Sequence, residues 1–169
     1  VIARLRDAGH SVMTVRAGDA FALVGDNSYT LAAEQGRQGY DQLIAALKER
    51  GAMPDRIAHF WLTDVNAEPR PGSSVFDRNI EQGFWSLTWL AQALSDIGLD
   101  TPLHLSVFTA GAAQVRDEPL PHPEEALISG PVGVFAREMP GVTCAQIDIE
   151  PPQVKAPTRK GWFTAPVVE

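Results

Sequence analysis

Three short apolar runs, residues 56–62, 102–108 and 142–149, separated by stretches of helical periodicity, restrict the possible folds of this chain more than any other feature. Between the first two lies the strongest helical pattern, Val75 to Ile97. In it Phe76, Ile80, Phe84, Leu87, Ala91 and Leu94 recur at steps of three and four before Gly98. A further helix is predicted from about Glu124 to Met139, stopped by Pro140-Gly141. Another runs from Arg37 to Arg50, with Tyr40, Leu43, Ile44 and Leu47 on one face and Gly51 after it. Strands that alternate with helices in this way pair in parallel, because each crossover helix returns the chain to the same end of the sheet. Phe60-Trp61-Leu62 lacks the polar alternation of a half-solvated strand, as expected of a covered parallel strand.

The first part of the chain extends the same order. Val1 to Gly9 reads as a short helix, Ser11 to Val15 as a strand, and Phe21 to Leu31 as a hairpin around Gly25-Asp26-Asn27-Ser28. A helix followed by a strand is the second half of a strand–helix–strand unit, so a first strand is expected before Val1. The absence of an initiator Met predicts a piece of a longer chain. The resulting class is α/β, an open parallel sheet with helices on both faces. It fills one domain over residues 1–150, and residues 151–169 are expected to form an extended connector.

Composition excludes several function classes. With 44% hydrophobic and 21% charged residues, 169 residues suffice for a packed core. The net charge of −7, with Lys and Arg scattered, supplies no concentrated basic surface for nucleic acid. No apolar run approaches the roughly 20 residues of a membrane span. The single cysteine, Cys144, lies among Val142, Ala145 and Ile147 and reads as a buried structural thiol. A reducing cytoplasm suits it.

A search for chemistry returns little. There is no GxGxxG and no GxxxxGK[ST], the turns that bring backbone amides to a phosphate. Gly130-Pro131-Val132-Gly133 falls within a late helix and is better read as close packing on the sheet. A reductase of the short-chain type needs a Ser and a Tyr on its substrate carbonyl, with a Lys four residues after the Tyr. The helix that should carry Tyr and Lys reads Ala126-Leu127-Ile128-Ser129-Gly130, Tyr29 and Tyr40 come too early, and Thr109-Ala110-Gly111 offers a hydroxyl with no base beside it. His10, His59, His104 and His122 have no metal-site spacing, and no GxSxG elbow occurs. Glu124 and Glu125 are explained by a helix N-terminus, and Asp148 and Glu150 by a solvated strand end. Trp85 and Trp89 lie off the main apolar face of their helix, which predicts burial against a further element or domain. No catalytic, cofactor-binding or metal-binding residue is assigned.

Several stretches together resemble the ketoreductase domains of type I polyketide synthases, and specifically their N-terminal structural subdomain. They are Arg56-Ile57-Ala58-His59-Phe60-Trp61, the helix bearing Gly83-Phe84, Ser86-Leu87 and Leu90-Ala91-Gln92-Ala93-Leu94, and the segment with Gly130-Pro131, Val134, Glu138, Pro140, Cys144 and Ile147-Asp148. The resemblance implies a truncated Rossmann-like fold of short-chain dehydrogenase type that supports a separate catalytic half. NADPH and the Ser-Tyr-Lys machinery would reside in that half, with no cofactor here. The implied partners are the catalytic subdomain, other domains of the same synthase and, indirectly, an acyl carrier protein. Residues 159–163 look like the family's connecting strand, although the helix that usually precedes it is missing. Two other readings stay open: a scaffold in a synthase without a working reductase, and a small Rossmann-type enzyme whose Gly-rich turn lies upstream.

Overall fold

The computed structural model describes residues 1–64, 67–117 and 119–150. The expected connector at 151–169 lies outside the described residues. In chain order the elements are α1 (Ile2–Asp7), β1 (Thr14–Ala17), β2 (Ala22–Gly25), β3 (Ser28–Leu31), α2 (Gln38–Glu49), β4 (Arg56–Leu62), α3 (Val75–Ile80), α4 (Ser86–Ile97), β5 (Leu103–Thr109), α5 (Ser129–Glu138) and β6 (Val142–Asp148). They form an α/β fold around a truncated, Rossmann-like parallel sheet of order β4-β5-β6. A second small sheet has the order β1-β3-β2. The predicted hairpin supplies its antiparallel pair, and β1 joins β3 in parallel.

The central strand β5 shows how the sequence sets the layers. Leu103, Leu105, Val107 and Thr109 are buried, and the residues between them are half-buried, the period of two that a pleated strand imposes. On the buried side α2 meets α4, α4 meets α5, α5 lies on β6, and α2 also reaches β3. Tyr40, Leu43, Ile44 and Leu47 of α2 thereby join Tyr29 and Leu31 of the small sheet to Leu87, Leu94, Leu105 and Val107 in one core. Parallel pairing puts Ala58, Ser106 and Ala145 on the other side, and Phe108 beside Ile147. Phe60 stacks on Phe108 with ring centroids 4.3 Å apart. Among the described residues this side stays partly open: Phe60 is 37% and Ile147 38% exposed.

The two long helices of the sequence pattern are each interrupted. Residues 75–97 are helical throughout, but Glu81–Trp85 form a π turn between α3 and α4. The wider turn falls where the helix crosses β4. A Cβ at Gly83 would lie 2.9 Å from Leu62 Cδ1 and 3.2 Å from Ile128 Cγ2, so glycine is what admits the close approach. Ser74 begins the run with a reciprocal cap: its hydroxyl accepts from the Asp77 amide at 3.1 Å, and Asp77 Oδ2 accepts from the Ser74 amide at 3.2 Å. The other predicted helix opens as a 3-10 turn, Pro123–Ile128, before α5.

Gly83 and Gly133 should therefore respond oppositely to substitution. Gly83→Val is expected to cost about 1–3 kcal/mol through overpacking against Leu62. Gly133→Ala, with open space around the new methyl, should gain about 0.5–1 kcal/mol from helix propensity. Urea unfolding of both variants checks this, and equal effects would contradict the packing described.

Candidate functional site at the carboxyl edge of the sheet

Open α/β sheets take their ligands outside the carboxyl ends of the strands. At the end of β5 the chain leaves the sheet through Ala110, Gly111, Ala112 and Ala113, whose four consecutive amides need acceptors. Two carboxylates supply all of them. Ala110 N donates to Glu125 Oε2 at 3.1 Å. Gly111 N and Ala112 N donate to Asp148 Oδ1 at 3.0 and 3.1 Å, and Ala113 N donates to Oδ2 at 3.1 Å. The buried Thr109 hydroxyl adds a fourth bond to the Asp148 carboxylate, donating to Oδ1 at 2.7 Å. Gly111 makes the turn possible: its φ is +97°, and a Cβ there would lie 2.5 Å from Pro121 Cγ.

The two carboxyls are tuned in opposite directions. Burial pushes the Asp148 pKa up, but hydrogen bonds from Thr109, Ala112, Ala113 and Gly111 outweigh it and leave the group below its ordinary value. Glu125 is only 2% exposed. Burial raises its pKa to about 7, opposed by the Ala110 amide, reinforced by the charges of Glu124 and Asp148, and opposed again by Arg78. Beside it, Asn79 Nδ2 donates to Glu124 Oε1 at 2.6 Å, and the buried Arg78 donates to Asn79 Oδ1 at 2.8 and 3.2 Å and to the Ala67 carbonyl. The edge is thus a network linking α3, the loop after β5, the 3-10 turn and the end of β6. Two sequence expectations are corrected here. Asp148 is not simply a solvated strand end, because it accepts three amides of a distant loop. Glu125 does lie in the first turn of the 3-10 helix, yet it is buried and accepts the Ala110 amide, which a helix start alone does not explain.

The remaining candidates do not converge on this edge. His59 Nε2 lies 3.2 Å from Ser86 Oγ. Burial lowers its pKa to about 4, against the favourable carbonyls of Gln82 and of His59 itself. Tyr40 stands near Ser86, its pKa raised to about 12 chiefly by burial. This Ser–His–Tyr cluster was not foreseen. All three groups are buried, and the His59–Ser86 contact joins β4 to α4, while the Tyr40 hydroxyl and His59 Nδ1 have no hydrogen-bond partner among the described residues. Tyr29 accepts from Arg50 at 2.7 Å, and the strand-face His104 meets Thr143 at 2.8 Å. Cys144 is half-buried, its thiol pKa raised by burial. Close packing does not explain both glycines of the Gly130–Gly133 stretch: Gly130 makes an ordinary contact with Phe84 at 3.6 Å, and Gly133 faces open space. Trp85 is 41% exposed and stacks on Trp89 at 5.1 Å, whereas Trp89 packs against the core.

One groove, of about 500 Å³, lies past the ends of β1 and β4. Asp19, Glu34, Asp64, Glu68 and Glu81 line it against Arg16, Arg70 and Arg78, and Arg70 is already paired with Glu81. An acidic excess of this kind repels a pyrophosphate. Among the described residues no cluster of three or more His, Cys, Asp or Glu could hold a metal ion, and no helix is long and apolar enough to cross a membrane.

A truncated Rossmann-like sheet whose ligand edge is occupied by its own side chains is the class that fold and site define. The chain belongs to the family described as beta-ketoacyl synthase-like, N-terminal, which matches residues 2–159. Two solved structures share the fold. One, described as the adenylation, ketoreductase and pseudo Asub multidomain structure of a keto acid-selecting NRPS module, superposes with a TM-score of 0.75 at 20% identity. It covers 92% of this chain and 13% of its own. The other, an N-terminal ketoreductase from the macrolactin assembly line, has a TM-score of 0.69 at 16% identity, over 88% of this chain and 29% of its own. This chain therefore spans less than a third of either relative, and both are parts of larger assemblies. No curated protein matches the chain.

A carboxyl with a raised folded-state pKa contributes stability that is whole below about 4.5 and is lost as pH rises through about 7. Wild-type Tm should therefore fall across that window. Glu125→Gln, which keeps an acceptor for the Ala110 amide, should flatten the fall. Calorimetric melts of both proteins from about pH 4.5 to 8 decide it, since parallel curves would contradict the assignment to Glu125.

Proposed function

We propose that this chain is the scaffold half of a polyketide synthase ketoreductase. It supports an adjacent NADPH-dependent half that reduces a β-ketoacyl thioester carried on an acyl carrier protein. The observation that carries this reading is the occupied edge: the amides of residues 110–113 already serve Glu125 and Asp148. A nucleotide phosphate would have to displace both. The missing Ser, Tyr and Lys of a reductase site fit the same division of labour, with nucleotide and chemistry in the neighbouring half.

The open side of the sheet suggests where that half docks. Phe60, Phe108, Ala145 and Ile147 offer an apolar surface that is continuous with β4, β5 and β6. Trp85 and Phe76 form a second apolar site, with Phe76 57% exposed beside the cleft that Arg70 and Glu81 rim. In this reading the chain contributes buried area and a fixed geometry to its neighbour, and no proton or hydride.

NADPH titration followed through the four tryptophans is expected to give no saturable change at micromolar nucleotide; micromolar binding would sink the proposal. Ile147→Lys is expected to leave the chain's own melt nearly unchanged while lowering the reductase activity of the parent protein by about tenfold, the size of an interface anchor lost. Retained activity would remove the open sheet side from the docking surface.

A further inference from the structure

We propose that the loop after β5 is an anion-binding nest for a planar carboxylate, and that its resident ligand is the chain's own Asp148. Three features support this independently of the ketoreductase reading. First, the donors converge: the amides of Gly111, Ala112 and Ala113 and the Thr109 hydroxyl lie 2.7–3.1 Å from one carboxylate. The positive φ of Gly111 turns successive N–H groups to the same side, the arrangement that makes a backbone concavity bind anions. Second, the ligand is a guest of the loop, not a neighbour in sequence. It comes from the last residue of β6, 35–39 positions away, and it accepts no ion pair among the described residues. Among the described residues, dipoles alone meet its charge.

Third, the site selects its class of anion. Oδ1 takes three donors and Oδ2 takes one, so the two oxygens of a single carboxylate engage every donor of the cradle. Glu125 stands close enough for its charge to interact with those of Glu124 and of Asp148. A phosphate dianion would meet that repulsion in full, whereas a monoanion such as formate or acetate would reproduce Asp148. Asp148 is solvent-exposed, so removing its side chain leaves a cradle open to small solutes, not a closed void.

The test is replacement of the tether by a free ligand. Asp148→Gly in the full chain should lower Tm and speed hydrogen exchange at Gly111, Ala112 and Ala113 by about tenfold or more, as expected for lost charge-assisted bonds. Millimolar sodium formate should restore both, sodium chloride at equal ionic strength should not, and phosphate should restore less than formate. No restoration, or equal restoration by chloride, would overturn the nest; restoration by phosphate equal to that by formate would overturn the assigned class. Should the glycine variant fail to fold, Asp148→Asn serves. Its carbonyl is expected to stay with Thr109, Gly111 and Ala112, leaving its NH2 facing Ala113, so exchange should accelerate selectively at Ala113. Unchanged exchange, or the same acceleration at all three amides, would contradict the proposal.

Discussion

The amides that leave the central strand must be satisfied, and the way this chain satisfies them organises the whole carboxyl edge. Buried or half-buried N–H groups without acceptors cost stability comparable to a lost hydrogen bond each. Here Glu125 and Asp148 converge on residues 110–113 from opposite directions in the sequence. Asp148 ties the loop to the end of β6. Glu125 ties it to the 3-10 turn before α5, and its neighbour Glu124 carries the network on to Asn79 in α3. Three carboxylates thus add side-chain ties between elements that the β5–β6 pairing and the packing of α3 on the 3-10 turn already bring together.

The same arrangement bears on function. An open α/β sheet takes its ligands outside this edge, and in this chain the amides that leave the central strand there are already engaged. The acidic groove past β1 and β4 is a poor alternative for a nucleotide, while the apolar open side around Phe60, Phe108 and Ile147 calls for a cover. The chain belongs to the beta-ketoacyl synthase-like N-terminal family and shares its fold with the two solved structures.

Local pattern made the frame legible. Alternation in Leu103, Leu105 and Val107 marked β5, the face of Tyr40, Leu43, Ile44 and Leu47 marked α2, and the Gly25–Ser28 turn marked the hairpin. Each depends on neighbours within a turn or two, which is what periodicity records. Asp148 and Glu125 were misread because their partners lie 15 to 39 residues away, and a charge at a strand end or helix start looks the same whether it faces water or a distant loop. The π turn escaped for a similar reason. Phe76 to Leu94 keeps its apolar spacing through the π turn, so the pattern does not mark it, and the close approach of Gly83 to Leu62 and Ile128 there is visible only in the structure. Trp85 was correctly placed off the core face. Trp89, four residues later, packs inward beyond that widened turn.

In the proposed scaffold the ligand edge is occupied by the chain's own side chains, and a structure of the parent protein crystallised with NADPH tests that most directly. The prediction is a nucleotide held wholly by the neighbouring half, with Asp148 still on the amides of Gly111, Ala112 and Ala113 and Glu125 still on Ala110. A nucleotide phosphate seated on those amides, with Asp148 displaced, would contradict it.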